Sequence, residues 1–156
     1  MLQETEILKL IENGENSYVE FKEEAVSNKK IAQELIAFSN HKGGYLLLGV
    51  ADDKRITGLV KDGNEERIMN ISDDLISPPI YPTYYELKID NKRIAVIEIE
   101  PGVNKPYFIP KGQGKIFNPN EIYIRQGSKT RKIKSRDELQ RLFQASGNLQ
   151  FEISPA

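Results

Sequence analysis

The chain has 156 residues, 38% of them hydrophobic and 29% charged, with a net charge of −1, one histidine and no cysteine. That length fits one domain with a core that needs no disulfide staples, and without thiols there are no disulfides or thiolate metal sites. No apolar run approaches the roughly 18 residues of a membrane span. The acidic, amphipathic start lacks the basic and apolar stretches of a signal peptide, so a cytoplasmic protein is expected.

In chain order, Ile7, Leu8, Leu10 and Ile11 give residues 3–13 a helical apolar face, and Gly14 is a fitting stop. Residues 18–22 alternate, with Val19 and Phe21 to one side and Tyr18, Glu20 and Lys22 to the other, which predicts a strand. Residues 29–41 read as a helix turning Ile31, Ala32, Leu35, Ile36 and Phe38 inward, ended by Gly43-Gly44. The unbroken apolar run over residues 45–50 predicts a central strand buried on both faces. Asp52-Asp53-Lys54 makes a turn, and residues 56–59 a short extension. Asn64 is placed to cap a third helix running to residue 76, and Pro78, Pro79 and Pro82 end it. Residues 83–89 and 93–99 flank the hairpin signal Asp90-Asn91.

Residues 101–120 hold four prolines and three glycines without periodicity. A loop of that length inside a domain is usually functional or mobile. Residues 121–125 read as a strand, and Ser135-Arg136-Asp137-Glu138 as a capping box opening a helix to about residue 145. The elements predict an α+β (mixed α/β) fold over residues 1–146, with a central mixed sheet of five or six strands and three or four packed helices. The tail, residues 147–156, has apolar side chains with nothing after them to pack on, and is expected to start a linker to a C-terminal region.

A near-zero net charge opposes strong nonspecific binding to nucleic acid. The charge is uneven, however. Residues 125–141 hold Arg125, Lys129, Arg131, Lys132, Lys134, Arg136 and Arg141 against Asp137 and Glu138, a local +5 that leaves −6 for the rest. A polyanion-binding face requires such a stripe, though a solvated strand end and helix start would look the same. In it, Arg125, Lys129, Arg131, Lys132 and Lys134 supply charge, Ser128 and Thr130 hydroxyls, and Gly127 open backbone amides, all suited to phosphates. Lys22, on the polar side of its strand, joins this candidate set. Tyr107, Phe108 or Tyr123 would stack on unpaired bases if exposed, with core packing the alternative for each. No recognition helix or base-reading code is legible, so backbone contacts and strong salt dependence are expected. One small stripe makes few phosphate contacts, which points to a homodimer as the expected unit.

The acids form a second candidate. Glu15 lies in the turn before a strand, Glu20 on its polar face, and Asp52 and Asp53 just past the end of the buried strand. If the two strands are neighbours, three carboxylates converge. Mg²⁺ or Mn²⁺ takes such oxygen ligands, and a metal placed so would activate water and steady the charge on a cleaved phosphodiester. Alternatively Glu20 pairs with Lys22 or another basic neighbour and the aspartates only make a turn. Gly43, Gly44 and Gly49 suit close backbone packing, and no phosphate-loop or dinucleotide pattern is present. With His41 alone and no Cys, neither a zinc site nor a nucleophilic triad is expected.

The ordered set Glu15…Val19-Glu20-Phe21-Lys22, Ile36-Ala37-Phe38-Ser39-Asn40, Gly43-Gly44…Gly49-Val50 with Asp52-Asp53, and Gly58-Leu59 resembles the Schlafen-type AlbA-like domain. Lys105-Pro106-Tyr107 and residues 123–130 continue the likeness, which covers roughly residues 10–135. The resemblance implies a DNA-binding module of bacterial transcriptional regulators, followed in the family by a longer C-terminal region. It also implies, for some members, a nuclease with a three-carboxylate site. Its first two positions fall on Glu15 and Glu20 and the third on Asp52 or Asp53, with metal ligands among Glu15, Glu20 and Asp52.

Three functions follow as expectations. The first is a nucleic-acid-binding module, for DNA rather than RNA. The second is a divalent-metal-dependent endonuclease, and the third a protein-docking domain that takes no nucleic acid.

Overall fold

The structure is a computed structural model and describes residues 1–145. The expected linker over residues 147–156 lies outside the described residues.

The helix α1 (Glu4–Asn13) leads into the strand β1 (Val19–Lys22), and the chain then crosses through α2 (Asn28–Ser39) to β2 (Gly44–Leu48). β1 and β2 pair in parallel, Glu20 opposite Leu46, which a tight turn could not connect. Ser27 starts α2, its hydroxyl accepting from the Lys30 N–H at 3.1 Å. Next come α3 (Asn64–Leu75) and the hairpin of β3 (Thr83–Ile89) and β4 (Lys92–Ile99). Asp90 and Asn91 both adopt positive φ in its turn, as a type I′ connection requires. β4 also pairs antiparallel with β2, giving the order β1-β2-β4-β3.

This sheet is covered on both sides. Leu46, Leu48, Ala95 and Ile97 pack with Ile31, Leu35 and Phe38 of α2 and Ile68 of α3. Leu47, Val96, Val19 and Phe21 pack with Ile7 and Ile11 of α1. Residues 45–50 are apolar without alternation for that reason.

Among the described residues six strands form, but as four plus two. β5 (Tyr123–Gln126) and β6 (Lys129–Lys132) make a separate hairpin set against α2, and α4 (Arg136–Gln144) follows, with Leu142 packed near Phe108 and Ile122. Ser135 caps α4 by accepting from the Glu138 N–H at 3.2 Å. Asn40 fastens the second layer to the first. Its amide donates to the carbonyls of Tyr107 (3.0 Å) and Tyr123 (2.9 Å) and accepts from the Tyr107 N–H (2.7 Å), so the long loop and β5 are both tied to the end of α2.

Three local expectations change. Asn64 is the first helical residue rather than the cap; Gly63, at φ +84°, precedes it, and the Asn64 amide donates to Glu24 at 2.8 Å. Residues 56–59 add only a bridge from Ile56 to Val50, because the Thr57 and Gly58 N–H groups both turn onto the Gly49 carbonyl. α2 ends at Ser39, before the glycine pair. Gly43 is needed for close approach instead, since a Cβ there would stand 2.3 Å from the Ile99 carbonyl oxygen.

Candidate nucleic-acid interface

The site begins with a buried arginine. β5 alternates, and Arg125 points in beneath the hairpin, its side chain fully excluded from solvent. One guanidinium nitrogen, Nη1, donates to Glu20 Oε1 (2.7 Å), Thr130 Oγ1 (3.0 Å) and Glu34 Oε2 (3.3 Å). Nη2 donates to the Asn16 carbonyl at 2.5 Å, and the fork lies 4.5 Å from the centre of the Phe38 ring. The Thr130 hydroxyl donates onward to Glu34 at 3.0 Å. Arg125 therefore joins the hairpin, α2, β1 and the turn before β1. It was expected among the phosphate-binding side chains; its burial and its carboxylate partners assign it to the interior instead.

Glu34 was not foreseen. It sits between Ile31 and Phe38 on the apolar stripe of α2, and a carboxylate on such a stripe signals a buried partner elsewhere in the chain. Burial pushes its carboxyl above the usual range, helped by the charge of Glu20 and opposed by Lys22, Lys30 and the Thr130 hydrogen bond. Lys30 approaches it at 3.3 Å across one helical turn. The β6 strand was missed too, although Gly127-Ser128 between Gln126 and Lys129 is a two-residue hairpin loop with Gly, at φ +59°, in first place.

Two of the expected carboxylates do meet. Glu15 Oε2 accepts from the Phe21 N–H at 2.9 Å, and its carboxyl hydrogen-bonds Glu20. Burial, then that bond, and then the charges of Glu20 and Asp52 push Glu15 up to about 8, against the pull of the Phe21 N–H. Burial would push Glu20 up as well, but its hydrogen bonds to Glu15 and Arg125, with Lys22 3.4 Å away, hold it below the usual carboxylate range. The two carboxyls are pushed in opposite directions, so a proton on the pair favours Glu15 over Glu20.

The aspartates behave differently. Asp52 is exposed and acts on Glu15 through space. Asp53 is exposed and turns to Arg55 at 2.7 Å, which lowers its carboxyl below the usual range. Among the described residues no three of His, Cys, Asp and Glu gather as a metal centre. The donor set suits a divalent cation only in part: two oxygens from Glu15 and Glu20, with Arg125 competing for Glu20.

On the outer side of the hairpin, Ser128, Lys129, Lys132 and Lys134 are exposed. Lys132 lies 3.9 Å from Glu121, a long and mostly solvated contact. Arg131 is committed to Glu138 through two bonds of 3.2 and 2.6 Å, and this pair pulls Glu138 down to about 2. Thr130 is turned inward to Glu34, and Lys22 is half-buried beside Glu20. Of the aromatics expected to stack, Tyr107, Phe108 and Tyr123 are all buried, at 5%, 8% and 4% exposure.

An α+β domain with a cationic hairpin locked onto its sheet by one arginine, over a buried carboxylate pair, is thus the class that fold and site define. The chain belongs to the Schlafen AlbA_2 family, whose model matches residues 15–134, and that family is in general associated with nucleic acids. Its fold is similar to that of the DIP2311 protein of Corynebacterium diphtheriae, with a TM-score of 0.62 and 20% identity over 84% of this chain and 24% of that one. It is also similar to the N-terminal domain of a RecG-related protein from Nitrosomonas europaea, with a TM-score of 0.61 and 22% identity over 87% of this chain and 97% of that domain. The chain thus spans about a quarter of the Corynebacterium protein. No curated protein matches the sequence. No helix among the described residues is long and apolar enough to cross a membrane.

Proposed function

We propose that this domain binds nucleic acid, DNA in preference to RNA, through the outer side of the β5–β6 hairpin, as a module of a transcriptional regulator in the cytoplasm. One observation carries the reading. Once the internal ion pairs are taken out, Lys129 and Lys134 have no ion-pair partner among the described residues, and Ser128 and Lys132 stand beside them on a hairpin fixed by Arg125. Fixed cations with a neighbouring hydroxyl and a Gly127 turn are the groups that hold phosphates. A homodimer would double the contacts. The test is a mobility shift with labelled single- and double-stranded DNA and a structured RNA. A shift on DNA is expected, weakened by Lys129→Ala and Lys134→Ala and unaffected by Asp53→Ala; no shift in low salt sinks the reading.

A second reading, cleavage of the bound strand, is favoured by the Glu15–Glu20 pair, since two carboxylates brought together at β1, Glu15 bonded to the Phe21 N–H, are oxygen donors a cation would suit. Glu15 and Glu20 would hold Mg²⁺ or Mn²⁺, which when bound would activate water. Denaturing gels with and without EDTA decide it. Cuts that need metal and vanish in Glu20→Gln support a nuclease; intact strands in every lane end that reading.

A further inference from the structure

The aromatics placed by sequence as stacking candidates are buried, but another is open. Tyr18 is 46% exposed, the residue immediately before β1. Its backbone is fixed at both ends: its N–H donates to Asn16 Oδ1 at 2.8 Å and its carbonyl accepts from the Tyr45 N–H at 2.7 Å. The same Asn16 gives its carbonyl to Arg125, so the turn carrying Tyr18 is bound directly to the cationic hairpin. The His41 ring stands behind it, 6.3 Å away and tilted by 53°.

Tyr18 forms one wall of an open cleft of about 300 Å³, with Tyr45, Ile99 and Pro101 as apolar surface and Lys42 at its rim. That volume is at the lower end for small-molecule sites, which run from ~300 to 1,000 Å³. Glu98 and Glu100 also line it. Carboxylates would repel a phosphate there but accept hydrogen bonds from the N–H edge of a base. Lys42, exposed and lining the cleft, is placed for the backbone.

We infer that this cleft takes an unpaired base, stacked on Tyr18, from a strand whose phosphates run past Lys42 toward the hairpin. The ligand class is single-stranded nucleic acid, or a duplex with an unpaired stretch. A base inside a duplex is stacked on its neighbours and cannot enter, whereas an exposed ring on a rigid turn loses little entropy in receiving a free one. The inference rests on the nucleic-acid reading above and refines its substrate.

The experiment is fluorescence anisotropy of the whole chain with a labelled 20-nucleotide single strand and with the same sequence as a duplex. Wild type is compared with Tyr18→Ala, Tyr18→Phe and Lys129→Ala, each checked for an unchanged thermal transition. Tyr18→Ala is expected to weaken single-strand binding about tenfold, the effect of losing one stacked base, and to leave duplex binding unchanged. Tyr18→Phe is expected to bind like wild type, because the ring stacks and the hydroxyl does not. If Tyr18→Ala binds the single strand as wild type does, or weakens both ligands equally, base stacking at Tyr18 is wrong while the binding reading stands. If wild type binds neither ligand, both proposals fall.

Discussion

Arg125 gathers more of this molecule than any other side chain. The fully buried guanidinium bonds Glu20 and Glu34 through Nη1 and the Asn16 carbonyl through Nη2, leaving Nε without a partner among the described residues, and removing it would take a directly bonded cation from two buried carboxylates. Arg125→Ala is therefore expected to cost about 3–5 kcal/mol, read by urea denaturation. Arg125→Lys would keep the charge but lose the fork that reaches Glu20 and the Asn16 carbonyl together. An unchanged midpoint in Arg125→Ala would show that the clasp is dispensable. Glu15 makes a different prediction. Its folded-state carboxyl is raised from 4.5 to about 8, so the folded chain holds a proton that the unfolded chain has released. The stability this gives is complete below about pH 4.5 and is lost as pH rises through about 8. Wild type should thus lose stability between pH 6 and pH 9, and Glu15→Gln should lose less over the same interval. Parallel losses in the two proteins would rule out the shared proton.

At the scale of elements, the hairpin and the long loop are held by a few polar clasps as well as by Tyr107 and Tyr123 packed into the main core. The loop over residues 101–120 is fixed by the Asn40 bonds to Tyr107, by the Gly102 N–H to the Ser39 carbonyl and by the bridge from Phe108 to Ser77. Asn40 is 5% exposed, so its truncation would leave two carbonyls and one N–H without their partner in a dry site. Asn40→Ala is expected to cost about 2–4 kcal/mol and to raise amide exchange in β5 and the loop more than in β2. Uniform exchange across all strands would mean that the two layers open together. Asn40 and Arg125 are also reasons the last two strands stand apart from the central sheet. Asn40 attaches the hairpin to the end of α2, and Arg125 attaches it to α2 and β1, through side chains and not to a sheet edge through the backbone.

For the molecule as a whole, net charge misleads. A total of −1 predicts weak attraction to a polyanion, but the acids are not spread evenly. Glu20, Glu34 and Glu138 are spent on Arg125, Lys30 and Arg131, which leaves an outer hairpin side that is locally cationic. If Lys129, Lys132 and Lys134 each meet one phosphate of a duplex, each should contribute about 0.9 to the slope of log affinity against log salt. Replacing any one by Ala should lower the slope by about that much, while Arg131→Ala should act mainly on stability through Glu138. Equal slopes in all three lysine variants and wild type would move the interface off the hairpin.

Much was legible in the sequence because it depends on short-range rules. The amphipathic spacing of α1 and α2, the double burial of β2, the Asp90-Asn91 turn and the Ser135 cap are all set by neighbours within a few residues. The family pattern was legible as an ordered set of such pieces. Long-range pairing was not. Arg125 reads as one more cation of a basic stripe, Asp53 as the equal of Asp52, and Tyr107 and Tyr123 as rings open equally to stacking and to core packing. Only the tertiary structure decides that Arg125 lies between carboxylates 105 and 91 residues away, and that Tyr18 is among the rings left open. The physical reason is that composition and periodicity fix which face a side chain takes on its own element. Whether that face meets solvent or a buried countercharge depends on which elements are brought against it.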